Sequence, residues 1–551
     1  MGLILSRVAY AGEQVSLVEP LSPPQPGRDR PGPGLLPPPS LDFTIPAPRR
    51  SPVPRAVEEL VFDVKDVDLT GATVYSPEQL RALVLPVIGR TVHLSDLIAA
   101  AERIEAKYHG DGYVLTRAYV PTQNVGNGVF HIAVVEGFVA AISVQGGDAR
   151  TRAQVEAMLE PVTQSRPLQV GVLETALLSA NELPGSSASG LLRPSAVEPG
   201  ASDLVVTVKS APWNSSLSVD NRGSKNTGLW TMAADTSFHS PLDDGGQIGL
   251  NASADPLNVN QRRALQVRYG TPVGFVDGMS ASISGLVSHG EPAGSVAALS
   301  LVTDSVAIGP RLSLPLLLTR AEKLTLDGGV TYQSADVHVL GAPLSHDEWR
   351  VADIGLSYQN NVWLAGQSNA TLDLAQGVPL FGASKSDSVN LSRESARTDF
   401  TKLSSTLHRQ QTIVDPLSLS VTVNAQYAFD TLLTGEEVSF GGAQIGRGYD
   451  PGSITGDAGL GAASELRYDF NAVKFDLDSL QLYGFYDAGK VWNHVGGIAD
   501  SMIGSAGAGI RLGAMQSATL GLELAHVLLP VPGNDEGRRS SRVMLNSSVR
   551  F

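Results

Sequence analysis

The sequence predicts a transmembrane antiparallel β-barrel of about sixteen strands, preceded by two small α/β domains. Three observations predict it. From Trp213 onward, long segments alternate apolar with polar residues. Between residues 57 and about 210, helical periodicity instead separates short strands. No run approaches the roughly 18 consecutive apolar residues of a membrane helix. Bulk hydropathy does not decide, because a mean of +0.03 suits a barrel whose strands are apolar on one side only.

The alternation is explicit in Leu417, Leu419, Val421, Val423, Ala425, Tyr427 and Phe429, which interleave with Ser418, Ser420, Thr422, Asn424, Gln426 and Ala428. Met279, Ala281, Ile283, Gly285 and Val287 repeat the pattern. A soluble sandwich alternates too, but over strands of about five or six residues. These run to about ten or more, the length that crosses a bilayer at a tilt of roughly 45°. Residues 213–551 leave 551 − 212 = 339 residues, and about ten per strand with a similar allowance for loops gives about sixteen strands. The last strand places Val543, Leu545, Val549 and Phe551 on one face, so the chain ends on an outward aromatic.

Upstream elements follow in order. Leu3-Ile4-Leu5, Arg7 and Ala9-Tyr10-Ala11 have the look of a signal-peptidase site behind an apolar region that is too short, so Met1 is expected to lie inside a longer signal peptide whose true start is upstream. Between Pro20 and Pro54 lie thirteen of the 34 prolines, the composition of an extended linker, so residues 1–56 are leader and linker. Residues 57–137 form the first α/β domain. Phe62, Val64, Val67 and Leu69 make a first strand. Ser76-Pro77-Glu78-Gln79 starts a helix, with Ser76 as N-cap, Pro77 in the first turn and Gln79 closing a capping box. Leu97, Ile98, Ala101, Ile104 and Tyr108 mark a second helix ending at Gly110-Asp111-Gly112. Tyr113 to Val120 and Val129 to Val135 then read as strands, an order of β-α-α-β-β. Residues 138–210 repeat the plan more loosely: a strand at Ala141 to Gln145, helices around Val155, Met158 and Leu159 and around Val172 to Ala180, and a closing strand at Leu204 to Val208.

Several function classes are excluded. The chain has no cysteine, which removes disulfide frameworks, thiolate metal sites and cysteine nucleophiles, and suits passage through an oxidising compartment. A net charge of −15 opposes nucleic-acid binding. The ten histidines form no metal-binding pair at helical spacing, and neither a nucleophile elbow nor a phosphate-binding loop occurs. No cofactor and no enzyme activity are expected.

The remaining motifs carry a resemblance. Gly71, Gly112-Tyr113, Val120-Pro121-Thr122-Gln123, Gly128 and Val135-Glu136-Gly137 stand in order along some eighty residues. Asp220-Asn221-Arg222-Gly223 with Thr227-Gly228, Gly446-Arg447-Gly448-Tyr449-Asp450, the strand Gly461 to Arg467, and Phe485-Tyr486-Asp487-Ala488-Gly489 follow. Together they resemble the outer-membrane translocators of two-partner secretion, the haemolysin-activator type called TpsB; Thr122 stands where that family usually has a second proline. The resemblance implies two periplasmic POTRA domains and a barrel in the outer membrane of a Gram-negative bacterium. It implies that the domains capture a large exoprotein of the TpsA type by its N-terminal secretion domain. The client then passes unfolded to the cell surface, with its activation left open. It further implies contact with outer-membrane lipid and with the barrel-assembly machinery, which reads strands like the one ending at Phe551. A loop folds back into the barrel with Arg447 at its tip, Asp487 as wall anchor and Glu465 as a second wall carboxylate. A plug helix preceding the linker would fall at Glu13 to Val18. The alternatives are a barrel-assembly insertase of the same superfamily and a passive porin or receptor; a porin has no need of the α/β third.

Overall fold

The computed structural model describes residues 42–44 and 59–551, apart from 126, 199, 243–244, 275–277, 387, 389, 394, 473–476, 496–498 and 531–539. The expected signal-like start, the plug segment and nearly all of the linker lie outside the described residues. The chain divides into two compact units, one essentially residues 39–211 and the other essentially 212–551.

The N-terminal unit holds two α/β modules with separate cores. Helix Pro77–Val84 begins as its sequence dictates, with the Ser76 side chain accepting from Gln79 N–H and Gln79 returning a bond to the Ser76 N–H. Helix Leu94–Gly110 buries Leu97, Ile104 and Tyr108 against Phe130 and Ile132. The single first strand expected from Phe62 to Leu69 is instead two. Val61–Val64 pairs with Arg90–His93, whereas Asp66–Thr70 runs parallel to the central strand Val129–Val135 in a different sheet. The break falls at Lys65, where the N–H groups of Lys65 and Asp66 both turn to Gly128 O. The expected strand from Tyr113 shortens to Arg117–Tyr119.

The second module packs helices Ala149–Gln164 and Val170–Asn181 on a sheet of Phe138–Gly146, Ser186–Pro194 and Ala201–Ser210. Ser186–Pro194 was not anticipated. At its outer edge Asp42–Thr44 adds as a fourth, parallel strand opposite Ser189–Leu191.

The C-terminal unit is a closed barrel of sixteen antiparallel strands in sequence order, from Trp213–Asp220 to Ser541–Arg550, which pair to close the ring. Leu265, Val267, Ile283, Val287, Val306 and Ile308 are exposed in an outward row, as a lipid-facing surface requires. Some strands outrun a bilayer: Glu322–Val339 and Ala342–Asn360 are 18 and 19 residues long.

Candidate functional site: an arginine held inside the barrel

Between barrel strands Leu417–Ala428 and Ala458–Phe470 the chain makes a small hairpin, Val438–Phe440 paired with Ile454–Gly456. It lies on the inner wall because that wall is stripped of side chains where the hairpin rests. A Cβ at Gly461 would come within 2.6 Å of the Phe440 ring, and one at Gly489 or Gly459 within 3.0 and 3.1 Å. Phe440 is buried in this bed with Ile445, Ile454, Val491 and Ile503. Gly489, which closes the strand motif begun by Phe485, thus makes room for the ring of Phe440.

The hairpin's turn carries Arg447, only 4% exposed. Gly446 holds φ +87°, a conformation costly for other residues, and this aims the arginine at the wall. Arg447 Nε and Nη2 donate to the two oxygens of Asp487 at 3.0 and 2.7 Å, a fork-to-fork pair. The Gly446 and Arg447 backbone N–H groups donate to the same carboxylate at 3.3 and 3.0 Å. Nη1 reaches Glu465 at 2.6 Å and Glu523 at 3.1 Å. Beneath the guanidinium, 3.6 Å away, lies the ring of Phe485. Tyr449 donates its hydroxyl to Gly504 O at 2.8 Å and accepts from Gly504 N–H at 3.0 Å. Gly448 is tightly enclosed, since a Cβ there would lie 3.1 Å from Ser505 and Val527 side-chain atoms and would oblige them to shift.

Gly446, Arg447, Gly448, Tyr449, Asp487, Glu465 and Phe485 thus come together. Four charged partners escaped the sequence reading. Glu465 also pairs with Arg467 at 2.7 Å and with Arg511 at 3.0 Å, and Glu523 faces Arg222 at 3.5 Å and accepts from Tyr483 Oη at 2.8 Å. Leu520-Gly-Leu522-Glu523-Leu524 did carry a signal, a carboxylate on the inward side of an alternating strand. The rings of Phe485 and Tyr483 lie over Gly507 and Gly509, where a Cβ would intrude to 2.5 and 2.4 Å.

A second wall holds the hairpin's base. Glu436 accepts from Trp349 Nε1 at 2.7 Å and from Gln333 at 3.0 Å, and pairs with Lys402 at 2.6 Å. Glu437 pairs with Arg393 at 3.1 Å, which also binds Asp457 at 2.7 Å.

Apart from Phe551, the other expected residues lie in the N-terminal unit. Continuing the register of Arg117–Tyr119 sets Pro121 opposite His131, where proline has no N–H to give. The Gln123 amide takes over, donating to His131 O at 2.9 Å and accepting from its N–H at 2.7 Å. Glu136 accepts from the N–H groups of Thr73 and Val74 at 2.7 and 3.0 Å, from the Thr73 hydroxyl, and from Tyr108 Oη at 2.6 Å. Burial opposes its charge, but these bonds outweigh burial and hold the carboxyl below the ordinary glutamate value. Gly137 is sterically required, as a Cβ would sit 2.5 Å from Leu115 O. Phe551, at the end of the closing strand, is 68% exposed.

A family model described as haemolysin secretion/activation protein ShlB/FhaC/HecB matches residues 200–512, and one described as POTRA domain, ShlB-type, matches 62–137. The hemolysin transporter HpmB of Proteus mirabilis is 24% identical over 492 residues, 86% of this chain and 84% of that protein. The heme/hemopexin transporter HuxB of Haemophilus influenzae is 23% identical over 471 residues, 82% and 80% of the two chains. Among solved structures, CdiB from Escherichia coli superposes with a TM-score of 0.70 at 20% identity, covering 91% of this chain and 93% of its own. BamA from Haemophilus ducreyi, lacking POTRA domains 1–3, reaches 0.54 at 13% identity, covering 89% and 100%.

Proposed function

The chain belongs to the haemolysin secretion/activation protein family, the outer-membrane translocators of two-partner secretion, and we propose that its inward hairpin is the gate of the export path and its POTRA domains the receptor for one dedicated exoprotein. The protein is an outer-membrane translocase with its POTRA domains in the periplasm. A hairpin lying in the lumen obstructs an unfolded client and must shift for it to pass. The observation that carries this reading is the burial of Arg447 among Asp487, Glu465 and Glu523, since a guanidinium deep in a barrel stays there only while fully paired. Domain limits near residues 57–137, 138–210 and 213–551 follow from the same reading.

Capture of the client by strand addition is supported by the sheet edge at Ser189–Leu191, which already accepts the short parallel strand Asp42–Thr44. Main-chain pairing tolerates a variable, unfolded chain. Without a phosphate-binding loop, the translocase relies on folding of the exported client outside, which withdraws it from the transport equilibrium. Lipid around the outward apolar rows and the assembly machinery acting on the strand that ends at Phe551 complete the partners.

Co-expression with the exoprotein tests the gate. Arg447→Ala is expected to reach the outer membrane as a heat-modifiable barrel at the wild-type level yet release little client. Arg447→Lys should not restore release, because one ammonium cannot reproduce the two-pronged pair with Asp487. Normal secretion by Arg447→Ala refutes the gate.

A further inference from the structure

The junction that closes the ring of strands is a short one. Strands Trp213–Asp220 and Ser541–Arg550 share five residue pairs, Ser216 with Arg550 through Asp220 with Asn546, and reciprocal backbone bonds between Ser215 and Phe551 add a sixth rung at the periplasmic end, whereas eight pairs join the first strand to the second and thirteen join Ala458–Phe470 to Ser479–Trp492. Six rungs span about 20 Å, short of an apolar band about 25 Å tall. The chain enters the first strand from the periplasm, so the missing pairs fall at the outer end.

Side chains continue the ladder there. Asn221 donates its backbone N–H to Leu545 O at 3.2 Å, its side-chain amide donates to Val543 O at 3.2 Å, and its Oδ1 accepts from Leu545 N–H at 2.7 Å. Beyond it, Arg542 Nη2 donates to Gly223 O at 2.8 Å, while Nη1 of the same guanidinium pairs with Asp450 Oδ1 at 2.7 Å. Asp450 follows Tyr449 in the hairpin turn. A second route joins the same elements, since Glu523 contacts Arg447 at 3.1 Å and Arg222 at 3.5 Å.

From these contacts we infer that the hairpin tip is the clasp of the barrel seam, with Arg542 and Asp450 as positioning residues that tie loop and junction into one unit. Withdrawal of the tip removes the partner that orients Arg542 toward Gly223, so opening the gate also loosens the outer end of the seam and lets the lumen widen. The coupling needs no client, so its failure is distinguishable from failure of the export reading.

Hydrogen exchange on the full-length protein in lipid nanodiscs tests it. Asp450→Ala should raise amide exchange in residues 541–546 about tenfold or more while leaving Ser479–Trp492 at the wild-type rate, and Asp450→Glu should retain protection. The absence of native cysteine permits a second measurement: Ser218→Cys with Ser548→Cys, register partners in the seam, should close as a disulfide and return the Asp450→Ala seam toward wild-type exchange. Unchanged seam exchange in Asp450→Ala overturns the inference. So does a rise spread equally over all strands that the disulfide does not reverse.

Discussion

At the scale of single residues, the arginine cluster is uneven in its dependence on Arg447. Glu465 keeps Arg467 and Arg511 when Arg447 is removed, and Glu523 keeps Tyr483 and Arg222. Asp487, fully buried, has Arg447 as its ion-pair partner among the described residues. The cost of Arg447→Ala therefore concentrates on one carboxylate, and breaking a buried pair from one side costs about 3–5 kcal/mol. Asp487→Asn in the Arg447→Ala background should recover much of that loss, because the amide no longer buries a lone charge. Urea unfolding of the purified barrel, compared across both single variants and the double, measures the coupling; strictly additive losses contradict the pairing. Arg447, Asp487 and Glu465 were legible in the sequence through motif resemblance. Arg222 and Arg511 were not, because they meet the cluster only through strand register and barrel closure.

Among elements, local signals and long-range ones separated cleanly. The start of helix Pro77–Val84 was legible because its capping box lies within four residues. The break at Lys65 was hidden because it depends on Gly128, far along the chain. Strand Arg90–His93 was hidden likewise, being four residues wedged between two helices. Gln123 and Glu136 were legible as motif members, yet their contacts show them fastening the first POTRA module to itself: one replaces a strand pair beside a proline, the other joins the Thr73 turn, helix Leu94–Gly110 and the central strand. Glu136 makes this module acid-sensitive. Its folded carboxyl sits below the ordinary value near 4.5, so its stabilisation is complete above that pH and is lost as pH falls through the lower folded value. Urea unfolding of the N-terminal unit should show stability falling below about pH 4.5, with Glu136→Gln less stable at neutral pH and flatter in acid. Equal pH slopes for the two proteins contradict the assignment.

On the scale of the whole molecule, recognition and passage are divided between units that need different physics. The barrel was legible because alternation over ten or more residues is a strong periodic signal; its junctions were not, since closure depends on which strands meet. An extended client is recognised most generally through backbone pairing, which open sheet edges in the N-terminal unit offer and a closed ring, having used its edges on itself, does not. The channel, conversely, owes its integrity to the ring and the hairpin inside it, whose contacts with Trp349, Lys402, Glu465, Asp487 and Glu523 all lie within residues 212–551. Removing residues 57–136 should therefore abolish client binding in a pull-down while leaving single-channel conductance in planar bilayers at the wild-type value. Client still bound by the truncated protein would place the receptor in the second module or the barrel. Conductance that changed with the truncation would mean the first module also sets the pore, against the containment of the gate's contacts within the barrel.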